Sequence, residues 1–585
     1  MAPLVADIQE CLARITASSG FSNSERMREL LRYTVVEALQ GRGGSLKESV
    51  LGVSVFRRKP GYDSDADSIV RVEFARLRKK LEQYYQGEGA HERWRILFPK
   101  GSYAPEFVRS ESAAPNPLAC RVVVLPFSCP GSEADDEYVA DGLTDELITA
   151  LTRVPGLEVV AQTSAFTLKR RAPDIRDVGA RLQVDTAITG NLRRQGDLLR
   201  VHVQLVNTRD GCYLWAAKYE RHLSSVFQVQ EEIARAVVAA LNMKLPRGRV
   251  AGPPSPEAHA LYLKGRFWWH RWNPEALRKA AAFFQQAIED DPAYAAAYSG
   301  FADCLFLQGY YGYGPPGDLM PRAKAYALKA LEIDPQLCEA YCSLASVANA
   351  WEWNSREFGR LLRRCLELNP HYAIGLAKYA HHLSLLDRYE EASDWLKQAL
   401  ALDPLSPRMH ADLAITSALR GLHEMFEQEA ARVLEMDPAM LKLYWFQMKT
   451  RGACGNWPGA VQAAERALHH MPEDAVTLAF AAAAYAGLGH GRRAAELRAK
   501  LESLSQIRYV PYATLAYAHD EPGREEAFFR LMEQAIDERS AGARTLRMMR
   551  RFTSFASDPR YDALLEKVGL SDQDVLQAAA VDLAG

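Results

Sequence analysis

YAIGLAKYAHHLSLLDRYEEASDWLKQALALDP, residues 372–404, decides the architecture of the C-terminal half of this chain. Counted back from Pro404, the residues Ala399, Leu396, Ala392, Leu383, Ala380 and Leu376 return at helical spacing on either side of a short polar break, which predicts two antiparallel helices. Small residues at Ala380, Ala392 and Ala399 let backbones approach closely, and the larger apolar residues fill the space between neighbouring units. Pro404 stops the second helix, because proline lacks an N–H and disfavours helix in the residue before it. The closing phrase recurs as IEDDP at Pro292, LEIDP at Pro335, LELNP at Pro370, LEMDP at Pro438 and LHHMP at Pro472. Successive prolines lie 43, 35, 34, 34 and 34 residues apart. The place of Ala399 is taken in the other copies by Ala287, Ala330, Cys365, Val433 and Ala467.

A period of 34 with this pattern resembles the tetratricopeptide repeat, two helices per unit. An all-α solenoid is therefore expected over 258–585. The interval of 43 holds an insertion, YYGYGPPGDLMP (310–321), whose prolines and glycines suit a loop. Residues 505–585 read as a degenerate repeat and a cap shielding the last apolar face. Trp268, Trp269, Trp351, Trp353 and Trp457 read as packing between repeats. Such arrays offer a groove to a protein or peptide partner.

Upstream, 120–245 changes pattern. CRVVVLPF (120–127) is an apolar strand, 136–154 a helix with Val139, Leu143, Leu147 and Leu151 on one face, LEVVAQTS (157–164) a second strand and 174–183 a short helix. Two alternating segments, 186–196 and 198–207, meet at Gly196-Asp197; a third, 212–220, follows Asp210-Gly211; 225–245 is an amphipathic helix. The order predicts a mixed α/β domain. VVLPF (123–127), YVADGLTDELITAL (138–151), VVAQTSAF (159–166) and LWAAKYER (214–221) resemble the TolB-like N-terminal domain found beside tetratricopeptide repeats in bacterial signalling proteins. That family often joins the domain to an adenylate-cyclase module; no cyclase segment is legible here. Asp135, Asp136, Glu137, Asp141, Asp145 and Glu146 crowd one helix, where acids favour the dipole of the first turns and solvate an outer face. The cluster includes no histidine, and the segment has no GxxxxGK[ST] and no GxGxxG. The expectation is a non-enzyme with no cofactor and no metal.

Residues 1–110 carry the functional signal. SERMRELLRYTVVEALQ (24–40) is a helix, and SLKESVLGVSVF (45–56) a second, opened by Ser45 and Glu48 as a capping box. SIVRVEFARLRKKLEQYYQ (68–86) is a third, and 93–107 a hairpin turning at Lys100-Gly101. Three helices and a hairpin are the layout of a winged helix, whose third helix reads DNA. VRVEFARLRKKLE, a short spacer, an alternating strand and KGSY resemble the OmpR/ToxR/CadC-type winged-helix domain over about 45–107. That resemblance implies duplex DNA as a partner. On a helical wheel Phe74, Leu77 and Leu81 lie within about 40° of Val70, and Val72, Arg76, Lys79 and Gln83 within about 60° of the opposite side, beside Ala75. Arg71, Arg78 and Lys80 flank that stripe. Arginine suits guanine, a small apolar group the thymine methyl, and lysine a phosphate. From 68 to 109 there are nine Lys/Arg against five Asp/Glu. The candidate DNA contacts are Arg71, Val72, Ala75, Arg76, Arg78, Lys79 and, at the wing tip, Lys100.

That local excess stands out because 71 Lys+Arg against 73 Asp+Glu leave the 585-residue chain at −2, so no global charge draws it to nucleic acid or membrane. Apolar residues at 48% and charged residues at 25% exclude a disordered chain. Nine scattered cysteines without a CxxC pair fit neither a disulfide framework nor a zinc ribbon. The apolar run 475–489 is shorter than the ~20 residues a bilayer needs. Asp7 and Glu10 stand where a signal peptide carries cations, so a cytoplasmic protein is expected. The expected plan is a winged helix (1–110), a linker (111–119), a TolB-like domain (120–245), a linker (246–257) and the solenoid (258–585). It reads as a transcription regulator that binds DNA, takes a partner or effector on its repeats and pairs with a second copy to span two half-sites. The alternatives are a protein-interaction scaffold without DNA binding and a cyclase-associated signalling protein.

Overall fold

The structure, a computed structural model, describes residues 8, 11–12, 14–16, 18, 21, 24–39, 42–59, 68–86, 94–99, 101–109, 120–129, 137–169, 174–222, 226–241, 243, 254–271 and 273–584. The expected linker 111–119 lies outside them. The chain forms two compact units, Met1–Ala119 and Cys120–Gly585.

In the first unit α1 (Glu25–Leu39), α2 (Glu48–Ser54) and α3 (Ile69–Gln86) precede an antiparallel hairpin, β1 (Trp94–Leu97) with β2 (Glu106–Arg109). Val70, Phe74, Leu77 and Leu81 are buried as their spacing predicts, against Leu30 and Leu31 of α1, Leu51 of α2, and Ile96 and Phe98 of the hairpin. Gly101 turns with φ +84°, a conformation glycine adopts without strain. The expected capping box is not made. Ser45 closes a 3₁₀ turn and donates its hydroxyl to the Arg42 carbonyl (2.7 Å), and the helix starts after Lys47. Glu48 instead accepts from Arg71 and Tyr103 (3.0 and 3.2 Å), charge-assisted bonds that are stronger than a neutral cap.

The second unit opens with β3 (Cys120–Val124), α4 (Glu137–Thr152), β4 (Leu157–Val159), α5 (Gln162–Thr167), α6 (Ile175–Leu182), β5 (Thr186–Gln195), β6 (Leu198–Asn207), β7 (Tyr213–His222) and α7 (Val226–Ala240). The sheet order is β4-β3-β5-β6-β7, with β3 parallel to β4 and β5 and the last two pairings antiparallel. The second strand is shorter than the apolar run 157–164 predicts: it ends at Val159 and α5 begins at Gln162.

Eight helix pairs follow among the described residues: α8 (Pro256–Trp269) and α9 (Pro274–Asp290), α10 (Ala295–Tyr310) and α11 (Pro316–Ile333), α12 (Cys338–Ala350) and α13 (Ser355–Leu368), α14 (Ala373–Leu385) and α15 (Tyr389–Leu402), α16 (Pro407–Leu419) and α17 (His423–Met436), α18 (Leu441–Ala453) and α19 (Trp457–His470), α20 (Ala475–Gly487) and α21 (Gly491–Ile507), α22 (Tyr512–Tyr517) and α23 (Glu525–Asp537). Ala287, Ala330, Cys365, Ala399, Val433 and Ala467 are all fully buried. Asp291, Asp334, Asn369 and Asp437, each before its proline, take the extended backbone that proline imposes. Most of the expected insertion loop is helix, since α10 runs to Tyr310 and α11 starts at Pro316 and passes through Pro321.

The sheet and the first repeats are not separate domains. One core joins Val122, Leu147, Val203 and Ile233 to Tyr262, Leu263, Phe284 and Phe301. Of the expected linker 246–257, residues 246–253 lie outside the described residues, whereas Pro256 already opens α8. That helix packs so closely on α4 that a Cβ at Gly142 would stand 2.8 Å from Leu263. The expected cap also does more than close the end. Its short helices, α24 (Leu546–Met549), α25 (Pro559–Lys567) and α26 (Asp572–Ala584), belong to a segment that reaches the third helix pair and then passes along the array towards later pairs. The buried Arg544 binds Asn349, Ser355 and the Val568 carbonyl, Arg547 pairs with Asp387 (2.6 Å), and Arg551 reaches the Leu419 carbonyl.

Candidate nucleic-acid interface

Helix α3 is held from behind by aromatic packing. Phe74 meets Phe98 and Tyr103 edge to face at 5.4 and 4.7 Å, and the Ile96 amide donates to the Tyr85 hydroxyl (2.7 Å). The hairpin therefore fixes the rotation of the helix, and its polar stripe faces outward. Val72 is 44% exposed, and Ala75, Arg76, Lys79 and Gln83 are exposed beside it. Arg76 pairs along the helix with Glu73 at 2.7 Å, a contact of an exposed side chain that costs little to exchange for another anion.

The candidate cations divide into two groups. Arg76 and Lys79 project from the stripe. Arg78 and Arg71 hold the frame. The Arg78 guanidinium donates to the carbonyls of Phe98, Pro99 and Ser102 at 2.8, 3.0 and 2.9 Å, strapping the hairpin turn to the helix. Arg71 binds Glu48, to which Tyr103 also donates, so α2, α3 and the hairpin meet at one carboxylate. Burial, and then the Glu48 charge, raise the Tyr103 phenol above its ordinary range, which keeps it a donor. Lys80 lies over the Phe21 ring (5.5 Å). Lys100 lies outside the described residues. The role of Glu48 escapes sequence reasoning because its partners are 23 and 55 residues away. That of Arg78 is hinted at only by its wheel position, between the core and the outward face.

The acidic helix of the second unit is arranged differently from its sequence expectation. Asp135 and Asp136 lie outside the described residues, but Asp141, Asp145 and Glu146 are buried rather than solvated. α4 is covered by the sheet on one side and by α8 on another, so its polar side becomes an interior. Lys169 reaches Asp141 at 2.6 Å, Arg266 reaches Asp145 at 2.8 Å with His270 at 3.5 Å, and Gln230 donates to Glu146 at 3.0 Å. Burial raises the Asp145 carboxyl, but Arg266 and His270 outweigh it and hold the group below its usual range; burial lowers His270. Three carboxylates each engaged by a different side chain do not form a common site.

The first helices of most consecutive pairs also touch one another, which places them on the inner face of the array. That face carries the tyrosine loop left of the insertion. Gly312 (φ +69°) stands so close to Pro511 that a Cβ there would lie 2.6 Å from it. Burial pushes Tyr310 and Tyr313 up to about 12, with Arg408 and Asp412 near the first, and Asp474 and Arg508 near the second. Part of the expected partner groove thus holds the chain's own side chains. Among the described residues no helix is long and apolar enough to cross a membrane.

Comparison with known proteins adds the following. Residues 118–236 match the family model described as "HilA/YgeH-like transcriptional regulator, second domain". The chain is 31% identical over 255 residues to "Putative adenylate cyclase 3" of Rhizobium meliloti (strain 1021), covering 42% of this chain and 43% of that protein. It is 23% identical over 297 residues to "Transcriptional regulator HilA" of Salmonella typhimurium, covering 50% of this chain and 52% of that one. The chain therefore spans about half the length, or less, of these curated relatives. Among solved structures it is similar to YrrB, described as a TPR protein with an unusual peptide-binding site (TM-score 0.24, 22% identity, 32% of this chain and 92% of that one). It is also similar to a tetratricopeptide repeat protein of Parabacteroides merdae (TM-score 0.33, 15% identity, 47% and 99%). The non-enzyme expectation is corrected by the first of the curated relatives: a protein 31% identical to this chain bears a cyclase name, so the absence of a nucleotide motif in 120–245 does not decide the class.

Proposed function

We propose that this chain is a transcription regulator that binds duplex DNA through its first unit, with α3 as the reading helix of an OmpR/ToxR/CadC-type winged helix. The observation that carries this reading is the outward stripe Val72, Ala75, Arg76 and Lys79, presented by a helix whose rotation the hairpin fixes. Arg76 reads a base, Lys79 and Lys100 meet phosphates, Val72 and Ala75 make apolar contacts, and Arg71 and Arg78 hold the geometry from the edge of the site. Support comes from the name of the Salmonella relative and from the family model over 118–236. The TolB-like segment and the repeats form one body that takes a protein partner or effector, and the protein acts in the cytoplasm. The test is binding of the full chain to genomic fragments at graded salt. Phosphate contacts require affinity to fall steeply as salt rises, and Arg76→Ala should relax preference at one base position by about 1–3 kcal/mol. Binding that ignores salt, or a variant indistinguishable from the native protein, sinks the reading.

The Rhizobium relative favours a second reading, a signalling protein coupled to cyclic-nucleotide synthesis. Incubating the purified full chain with ATP and magnesium and measuring cyclic AMP tests it; no product above a buffer control rejects a cyclase activity in this chain.

A further inference from the structure

The two edges of the five-stranded sheet are treated in opposite ways. At the β4 edge the chain covers itself. The Ala161 amide donates to the Leu402 carbonyl (2.8 Å), and Arg121 reaches the Ala401 carbonyl. The Ser164 amide and hydroxyl donate to Asp403 (3.0 and 2.5 Å), and the Leu405 amide donates to the Ser164 hydroxyl (2.8 Å). This is a departure within the repeats. Asp291, Asp334, Asn369 and Asp437 each accept from the amide two residues on, closing their own turn. Asp403 gives that oxygen to the sheet domain instead.

At the other edge β7 is ten residues long, pairs with β6 except at a bulge at Leu214, and has no strand on its far side among the described residues. Natural sheets guard such strands by shortness, proline, bulges and charged residues. β7 is long and proline-free; a bulge at Leu214 sets off Tyr213 and Leu214, and the regular stretch beyond it carries Lys218, Glu220 and Arg221, charges that turn away most strands but can complement their own copy.

We infer that β7 pairs antiparallel with β7 of a second copy, joining two five-stranded sheets edge to edge. A two-fold axis normal to a continuous sheet keeps each side chain on its own face, so a residue must stand opposite its own copy at the dyad. Charge and the bulge then select the register. Centring on Lys218, Glu220 or Arg221 sets like charges directly across from one another, which is unfavourable, and centring on Ala217 or earlier draws the bulge at Leu214 into the new ladder. Centring on Tyr219 sets Lys218 opposite Glu220 of the second copy, twice, with the aromatic rings meeting at the axis. Arg200, already 3.2 Å from Glu220 on β6, extends each pair into a small network. The pairing then runs from Ala216 opposite His222 to its symmetry equivalent.

One strand pair buries less surface than the roughly 1,000 Å² expected of a stable interface. The assembly is therefore a reversible dimer, strengthened when both copies are held on one DNA molecule. Its use rests on the DNA-binding reading; its existence does not.

The test is sedimentation of the full chain without DNA across a range of concentrations. A concentration-dependent dimer is expected. Lys218→Glu and Glu220→Lys should each weaken it at least tenfold, since each sets like charges opposite at two places. The double swap K218E/E220K should restore most of it, short of the part that Arg200 adds beside Glu220. Circular dichroism of each variant checks that the fold is kept. A protein monomeric at every concentration, or a dimer that both single swaps leave unchanged, overturns the inference. A dimer that the single swaps weaken but the double does not restore overturns the register and with it the charge argument. Loss of DNA binding with the dimer intact would overturn the proposed function alone.

Discussion

Helices α3 and α4 look alike in sequence. Each has an apolar row at helical spacing and a dense charged side, and each charged side reads as outward-facing, to DNA in α3 and to solvent in α4. In α3 that side stays outward, with Arg76 and Lys79 on the surface. In α4 the same kind of side is interior: Asp145 is 4% exposed and bound by Arg266, which comes from a helix 121 residues away in sequence. The difference is that α3 is covered on one side only, whereas α4 lies between a sheet and the first repeat. A charged face on a helix reports which residues share a surface, and it leaves open what meets that surface.

The largest expected effect breaks the buried side. Asp145→Ala leaves Arg266 without its carboxylate in an interior where the geometry of the pair offsets the cost of burial, so the second unit should lose about 3–5 kcal/mol. Denaturant unfolding followed by tryptophan fluorescence measures this. A loss below about 1 kcal/mol would mean that water reaches the pair and that the two helices differ less than their burial indicates.

A smaller effect is expected inside α3. Arg78→Ala removes the strap on three hairpin carbonyls, at about 1–3 kcal/mol of first-unit stability. DNA affinity should fall to a similar extent on all sequences, because the whole helix proposed to read DNA loses its frame. Hydrogen exchange at the Ile96 amide, compared with binding on several DNA sites, would separate this from loss of a base contact.

Arg76→Ala sharpens the contrast from the other side. Stability should stay within about 0.5 kcal/mol, since Arg76 is itself exposed and pairs only along its own helix, while preference at one base position relaxes. Equal loss on every sequence would make Arg76 a phosphate contact.

A further difference separates the units by pH. Burial, helped by Arg544 and Arg408, lowers His381 on the second unit to about 4 from 6.5. The unfolded chain then takes up a proton before the folded one does. Stability from this group is full above about pH 6.5 and is lost as pH falls towards about 4. His381→Gln should flatten the stability of the second unit in that window and leave the first unit unchanged, as read by thermal unfolding at pH 7, 5.5 and 4.5.

The repeats were legible because their information is local and repeated. A helix pair needs small residues where backbones touch and a stop after the second helix, and Ala287, Ala330 and Ala399 with Pro292, Pro335 and Pro404 supply both within each period. The core row of α3 and the turns at Gly101, Gly196 and Gly211 were legible for the same reason, since periodicity and positive φ act over a few residues. The sequence by itself thus determined most of the element order, though not the helix α5 inside the run 157–164, and it determined the apolar rows of the helices and the outward stripe of α3. Only the tertiary structure decided that the sheet and the repeats share one core, that Asp403 serves the sheet domain rather than its own turn, that Glu48 joins three elements of the first unit, and that the C-terminal segment binds Asn349. Each of these depends on a polar group finding a partner far along the chain. Such a bond gains most where water is excluded, and which groups are excluded from water is fixed only once the layers have packed.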